Sequence, residues 1–506
     1  MLKDSVAISN QSLERIGKQL ADVPILFEIA TLVDELGLSG YLVGGVVRDL
    51  ILARPIKDID LAISASPEYF LKKFIRKSGG HSICLDKKFL TFRLISRKMK
   101  QRWFDFTPLR GNSIEEDLRQ RDFTINAMAI DLKDLLAFAI SPLHLIDPLG
   151  GSSDLAQKSI RAVSEEVFRD DPLRILRAFR QAGQLAFQIE ENTEYLIRRD
   201  RSLLKDTAPE RIRDELLLIL SLDQATACFS QLRQSGLLPT LFSLALPPPP
   251  EEATTGQGSE PGSEIAPPPL SAPAAAFEAW EDKAIRKLSS VEEILSALPI
   301  PEHDCLGQIR SLLSKVSGHQ ITFYPLLKLS AILSALPPSH HQQTKPDKVW
   351  DRLDSFLRWL ALSNSQRTYT IGCLQGMPRP LELLQSGSAA PRFFWRFFRD
   401  FGDEAGLGAL ILSLASQKAA AETGLELIEA LEGLFKQMVS FWCGWQKIKS
   451  HPPFLDGNFL LDYFHLSPGP LIGQILDALE EARAEGSIKS KEDAIELARR
   501  FLEARR

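Results

Sequence analysis

The stretch Tyr41–Ala65 (YLVGGVVRDLILARPIKDIDLAISA) most constrains what this chain can fold into. It predicts a strand, a Gly-Gly turn, a short helix and a second strand. Glycine lets the backbone approach a ligand closely, and a helix N-terminus offers free N–H groups to an anion. Gly44 and Gly45 are therefore candidates to cradle phosphate. On the second strand, Asp58 and Asp60 are two residues apart, so both carboxylates point to one face. Two such charges about 5 Å apart repel by roughly 3 kcal/mol at an effective dielectric of 20. A divalent cation between them turns that repulsion into binding, and Mg2+ favours carboxylates together with substrate phosphates. A phosphate cradle beside a metal pair is suited to nucleotidyl transfer.

The remaining candidates follow in chain order. Residues 11–38 read as one or two amphipathic helices ending at Gly37, and Pro67–Lys77 as a helix with proline in its first turn. Residues 81–108 read as strands. In Phe104-Asp105-Phe106 the alternation turns Asp105 away from its aromatic neighbours, which makes it the candidate third carboxylate. Arg48 either binds phosphate or pairs with Asp49 or Asp58. The segment 111–132 is helix-biased, and on a helix Arg121, Asp122 and Asn126 would share one side. There they could grip ribose and phosphate, or simply form a charge pair at a helix start. DPLGGSSDL (147–155) reads as an acidic loop. Asp171 followed by Pro172 suits a helix start, and Arg174, Arg177 and Arg180 lie on that helix. An aspartate acceptor beside an arginine donor can match a base edge, each pairing discriminating by roughly 1–3 kcal/mol. A plain helix start fits Asp171 and Arg174 equally well.

At 506 residues the chain is too long for one core. The expected domains are an α/β head (1–155), a helical neck (156–246), a disordered linker (247–276), an all-α body (277–450) and a helical tail (451–506). The linker assignment rests on its Pro, Gly, Ser, Glu and Ala content, which cannot build a core. The fold class is α+β in the head and all-α beyond it. The formal net charge of −5 excludes nucleic-acid binding by bulk electrostatics, so RNA contact requires a local basic surface. The five cysteines form no CxxC pair and no metal spacing, which fits a reducing compartment. No signal peptide or membrane-length apolar run is evident, so a cytoplasmic location is expected. The aromatic row PRFFWRFFRD (391–400) reads as core rather than as an RNA-stacking surface.

The segments LVGGVVRDLILARPIKDIDLAI, EEDLRQRDFTINAMA, IDPLGGSSDL, RDDPLRILRAFR and PERIRDEL resemble, in order, motifs A to E of the class II tRNA nucleotidyltransferases and bacterial poly(A) polymerases. The segment FLDGNFLLDYFHLSPGPLIGQILDALEEA is similar to the C-terminal part of that family. The resemblance implies a polymerase-β-like head with helical neck, body and tail holding the tRNA acceptor arm. It implies that Asp58 and Asp60 hold Mg2+, with Asp105 as third carboxylate. Gly44, Gly45 and Arg48 would bind triphosphate, and Arg121, Asp122 and Asn126 would contact ribose and phosphate. Asp171 and Arg174, supported by Arg177, would read CTP or ATP.

Two departures from the family pattern matter. The loop between the Asp105 strand and EEDL is only Gly111–Ile114, where relatives carry a longer one. Within the family this shortening looks like the mark of enzymes that add CC and stop. Ser334-Ala335 stands where some relatives have a His-Asp pair, so phosphohydrolase activity is not expected, and His340 and His341 read as loop residues. The expected function is addition of cytidines to tRNA 3′ ends. A-addition, full CCA addition, poly(A) synthesis and a catalytically silent RNA-binding protein are the alternatives.

Overall fold

The computed structural model describes residues 15–16, 19–20, 22–96, 102–137, 143–242, 272–297, 303–317, 321–336, 347–420 and 424–504. The chain divides into two compact units, Met1–Thr207 and Ala208–Arg506.

The first unit is built on a seven-stranded mixed sheet in the order β3-β4-β5-β2-β1-β6-β7. The strands are β1 (Gly40–Val43), β2 (Asp58–Ile63), β3 (His81–Asp86), β4 (Thr91–Ile95), β5 (Trp103–Pro108), β6 (Ala129–Asp131) and β7 (Leu145–Ile146). The β2–β5 pairing is parallel and aligns Asp60 with Asp105. β4 and β5 are antiparallel and put Arg93 opposite Asp105. Alternation decides which face is buried: Ile59, Leu61, Phe104 and Phe106 are almost fully enclosed, and the aspartates between them face the other side. Apolar helix faces cover the enclosed side. Helix Pro24–Glu35 contributes Ile29 and Val33, and helix Pro67–Ser78 contributes Phe70, whose ring packs 5.6 Å from that of Phe106.

Strands are present within 81–108 as expected, helix Pro24–Glu35 lies within the expected 11–38 stretch, of which 11–14, 17–18 and 21 are outside the described residues, and helix Pro67–Ser78 matches the expected Pro67–Lys77. Three expectations need correction. Segment 111–132 is not one helix. Helix Ile114–Arg119 stops, a 3-10 turn spans Thr124–Asn126, and β6 follows. The Asp122 carboxylate bonds its neighbour's backbone N–H at Phe123, and Phe123 bridges Ala162, so side-chain and long-range pairing displace the helix. The expected loop 147–155 contains helix Gly151–Gln157, because the Asp147 carboxylate accepts from the N–H groups of Gly151 and Ser152. The helix expected from Asp171 is hydrogen-bonded from Arg174 to Leu185. Asp171 is the last extended residue, and Leu173 already has helical angles.

The second unit is helical. A buried ion pair joins three of its helices. Lys328, fully enclosed on helix Phe323–Leu333, lies 2.7 Å from Glu292 on helix Ala272–Ser296. Glu292 also accepts from the N–H of Ala225 and the hydroxyl of Thr226, capping helix Ala225–Gln234 from outside. Helix Ala272–Ser296 starts five residues inside the compositional linker; 243–271 lie outside the described residues. The aromatic row is core, as expected: Phe394, Trp395, Phe397 and Phe398 are buried in helix Pro391–Ala419. The polar face of the same helix reaches helix Pro470–Glu485 through the Arg396–Glu481 pair. The tail carries its own core around Leu460, Ile475 and Leu479. Ser334 accepts from Lys287 Nζ at both its carbonyl (2.8 Å) and its hydroxyl (3.0 Å). A polar anchor therefore stands where a His-Asp pair would be needed. His340 and His341 lie outside the described residues.

Sequence spacing concealed one cysteine contact. Cys305 and Cys443, 138 positions apart, lie side by side with Cα atoms 5.9 Å apart. Among the described residues no helix is long and apolar enough to cross a membrane.

Candidate active site

β1 runs into a turn at Gly44, whose φ of 79° belongs to the left-handed region that favours glycine. A Cβ there would lie 3.0 Å from Arg121 Nη1 and 3.4 Å from Asp60 Oδ2. The turn, a guanidinium and a carboxylate therefore meet at one point, from three separate stretches of chain. Asp58 opens β2 at the exposed end, and Asp60 sits two residues further in on the same face.

The electrostatics single out Asp60. Loss of solvent pushes its carboxyl up to about 6; Arg121 opposes the rise, and Asp105 and Asp58 add to it. This carboxylate is short of positive charge. A divalent cation bound by Asp58 and Asp60 would supply that charge, and two hard oxygen donors suit Mg2+. Asp105 is differently placed. Its two oxygens accept from Arg93 Nε and Nη2, each at 2.7 Å. Among the described residues no group of three His, Cys, Asp or Glu is arranged to hold a metal ion.

A second network lies behind the turn. Arg48 is almost buried. Its Nη1 donates to Asn126 Oδ1 at 2.8 Å and its Nε to Asp49 at 3.0 Å. The expected alternative of pairing with Asp49 is thus present, and Arg48 turns inward against Gly45. Asn126 Nδ2 donates to Asp122 at 2.9 Å and to Gln181 at 3.0 Å. Asp122 forms an ion pair with Arg177 at 2.9 Å, close in distance but not aligned as a hydrogen bond. Burial alone would raise the Asp122 carboxyl. Arg177, the Asn126 amide, the Phe123 N–H and Arg174 outweigh it and hold that carboxyl below its ordinary value. Arg177 therefore supports Asp122.

The third group borders the same region. Arg121 is held by Asp117, whose carboxylate is buried and accepts from Nε at 3.0 Å and Nη2 at 2.9 Å. Arg174 Nη2 donates to the Gln120 carbonyl at 2.9 Å, and Nη1 to the carbonyls of Arg121 and Val167. Asp171 accepts from the Leu173 N–H at 3.3 Å. Arg110, not singled out by the sequence reading, stacks 5.6 Å from the Phe89 ring and lies in the field of Arg121 and Arg174. Burial, followed by those neighbouring cations, holds its pKa below the ordinary arginine value despite the opposing carboxylate of Asp117. Among the described residues its guanidinium has no hydrogen bond or ion pair.

The structure thus brings together Gly44, Asp58, Asp60, Asp105 and Arg121, and separately links Arg48, Asp122, Asn126 and Arg177. It adds Arg93, Arg110, Asp117 and Gln181. Of these, only Asp117 carried a local signal, the i,i+4 spacing to Arg121.

The loop between β5 and the next helix is closed tightly. Ser113 caps helix Ile114–Arg119 by accepting from the Glu116 N–H, and Glu116 Oε2 accepts from the Asn112 N–H at 2.7 Å. Gly111 has φ of 91°, and a Cβ there would collide with Glu116.

Comparison with known proteins bears on the same regions. Residues 40–161 match the poly A polymerase head domain, and residues 186–247 match the probable RNA and SrmB-binding site of polymerase A. The chain is 39% identical over 219 residues to a CC-adding tRNA nucleotidyltransferase of Geobacter sulfurreducens, covering 43% of this chain and 49% of that protein. It is 29% identical over 475 residues to an A-adding tRNA nucleotidyltransferase of Deinococcus radiodurans, covering 91% and 95%. At 35–39% identity the chain spans about half the length of the relatives it matches. The solved Thermotoga maritima CCA-adding enzyme in complex with tRNA shares the fold, with a TM-score of 0.63 at 21% identity, over 99% of this chain and all of that one.

Proposed function

We propose that this chain, which belongs to the family of class II tRNA nucleotidyltransferases and bacterial poly(A) polymerases, adds cytidines to the 3′ end of tRNA without a nucleic-acid template. The observation that carries the chemistry is the meeting of Asp58 and Asp60 with the Gly44 turn and Arg121.

In the proposed reaction the RNA 3′-hydroxyl oxygen attacks the α-phosphorus of CTP. A new O–P bond forms, the hydroxyl proton passes to water, the bond to the bridging oxygen breaks, and pyrophosphate leaves. Mg2+ held by Asp58 and Asp60 would supply charge neutralisation and acidify the attacking hydroxyl. The chain's own residues do the positioning. Gly44 and Gly45 let the triphosphate approach the backbone, and Arg121 and Arg110 face its charge. Arg48, bound to Asn126, supports the turn from behind. Asp122 and Asn126 are the candidates to contact ribose. Arg174, oriented by three backbone carbonyls, and Asp171 would present a donor–acceptor pair to the base edge. Catalysis of this kind rests on orientation and prearranged charge.

The short, pinned loop 109–113 supports CC addition, as does the similarity to the Geobacter enzyme. The near full-length similarity to the Deinococcus enzyme favours A addition as the second reading. Incubation with labelled CTP or ATP and tRNAs lacking CCA, ending in CC, or complete separates them. Two cytidines on the first tRNA and no adenosine on the second are expected. Adenosine on the CC-ending tRNA would overturn the CC reading.

A further inference from the structure

Asp105 stands in register with Asp60, yet it is bound as a salt-bridge partner rather than left open as a ligand. Arg93, directly opposite on β4, takes both of its oxygens in a fork. The guanidinium is also fixed by the Trp103 ring, 5.0 Å from its carbon. A fork and a stack together define its plane and position. The pair is mostly shielded from solvent, with the Asp105 side chain 16% exposed. Asp58 and Asp60 also act on Arg93, so it lies in the field of all three carboxylates.

Given the proposed function, we infer that Arg93 is a positioning residue that keeps Asp105 out of the metal's coordination shell. The divalent ion is then held by Asp58 and Asp60, and Asp105 serves as an oriented acceptor beside it. A carboxylate whose oxygens each accept a charge-assisted bond has lost much of its capacity to ligate a cation. A fixed guanidinium also repels a divalent ion approaching from that side. This arrangement leaves coordination positions for substrate oxygens.

The test is Mn2+ binding to the full chain without nucleotide or RNA, read by electron paramagnetic resonance. It uses wild type and the variants Asp58→Asn, Asp105→Asn, Arg93→Met and Arg93→Met/Asp105→Asn. Asp58→Asn removes a ligand and is expected to weaken binding roughly 10- to 100-fold, and Asp105→Asn, which removes a nearby charge but no ligand, to weaken it clearly less. Arg93→Met is expected to tighten binding roughly tenfold, since it removes a cation and frees a carboxylate. In the double variant the part due to the freed carboxylate disappears. General loosening of the fold would not tighten ion binding. Should Arg93→Met fail to fold, Arg93→Gln keeps a planar donor without the charge and is expected to tighten binding as well. Loss of binding in Asp105→Asn equal to that in Asp58→Asn overturns the inference. So does an Asp58-dependent site that both Arg93 variants leave unchanged. Absence of any Asp58-dependent Mn2+ site overturns the proposed function itself.

Discussion

Replacing Asp60 by asparagine is expected to stabilise the first unit while abolishing its activity. The magnitude follows from the site. Burial, with Asp105 and Asp58 nearby, moves the Asp60 carboxyl from 3.8 to about 6. A shift of about two units, at about 1.4 kcal/mol each, is a penalty of about 3 kcal/mol on the ionised folded state. The folded protein holds this proton more tightly than the unfolded chain does. The contribution of this group to wild-type stability therefore falls as pH rises from about 4 to about 6, and is flat above that window. Asparagine does not titrate. The gain of Asp60→Asn over wild type should be near zero at pH 4 and should reach about 3 kcal/mol by pH 7.5, or roughly 6–12 °C in the melting transition of a unit this size. The assay is thermal unfolding in EDTA across that pH range. Added Mg2+ should narrow the gap, because binding stabilises only the form that holds the ion. A destabilised variant, or a gain that does not change with pH, would refute the reasoning.

Further outcomes follow from the same contacts. Asp117→Ala leaves Arg121 without its buried partner; a loss of about 1–3 kcal/mol in unfolding free energy and a raised KM for CTP are expected, read by denaturant titration and steady-state kinetics. Lys328→Met strands the Glu292 carboxylate and should cost about 3–5 kcal/mol in the second unit, whereas the Lys328→Met/Glu292→Gln pair should recover part of it. Arg174→Ala should reduce discrimination between CTP and UTP about 10- to 100-fold in kcat/KM, with less effect on tRNA binding. Gly111→Ala places a side chain against Glu116 at positive φ and should cost about 1 kcal/mol or more, seen as a lowered melting temperature.

What could be read from the chain alone follows from the range of the interactions concerned. β2 and β5 declared themselves because strict alternation put Ile59, Leu61, Phe104 and Phe106 inside and the aspartates outside. The turn at Gly44 was legible because a Gly-Gly pair between an apolar strand and an amphipathic segment has few other uses. Segment 120–131 was misread as helix because its composition favours helix, while its structure is fixed by partners elsewhere. Phe123 pairs with Ala162, and Asn126 bonds Gln181, 55 positions away. Arg93 was invisible for the same reason. Nothing within β4 marks it, and only the β4–β5 register brings it onto Asp105. In the second unit, apolar periodicity revealed the helices, but not the Lys328–Glu292 node that ties three of them together or the approach of Cys305 to Cys443. Local patterns determine elements; polar contacts between distant elements complete the site.

The most direct test of the central claim is transfer itself. Purified full-length chain, Mg2+ and α-labelled CTP are incubated with a tRNA transcript lacking its 3′-terminal CCA, and the products are resolved at single-nucleotide length. Extension by two cytidines with release of pyrophosphate, lost in Asp58→Ala and Asp60→Ala, is the predicted result. No incorporation of any nucleotide by the wild-type chain, or full incorporation by either variant, would contradict it.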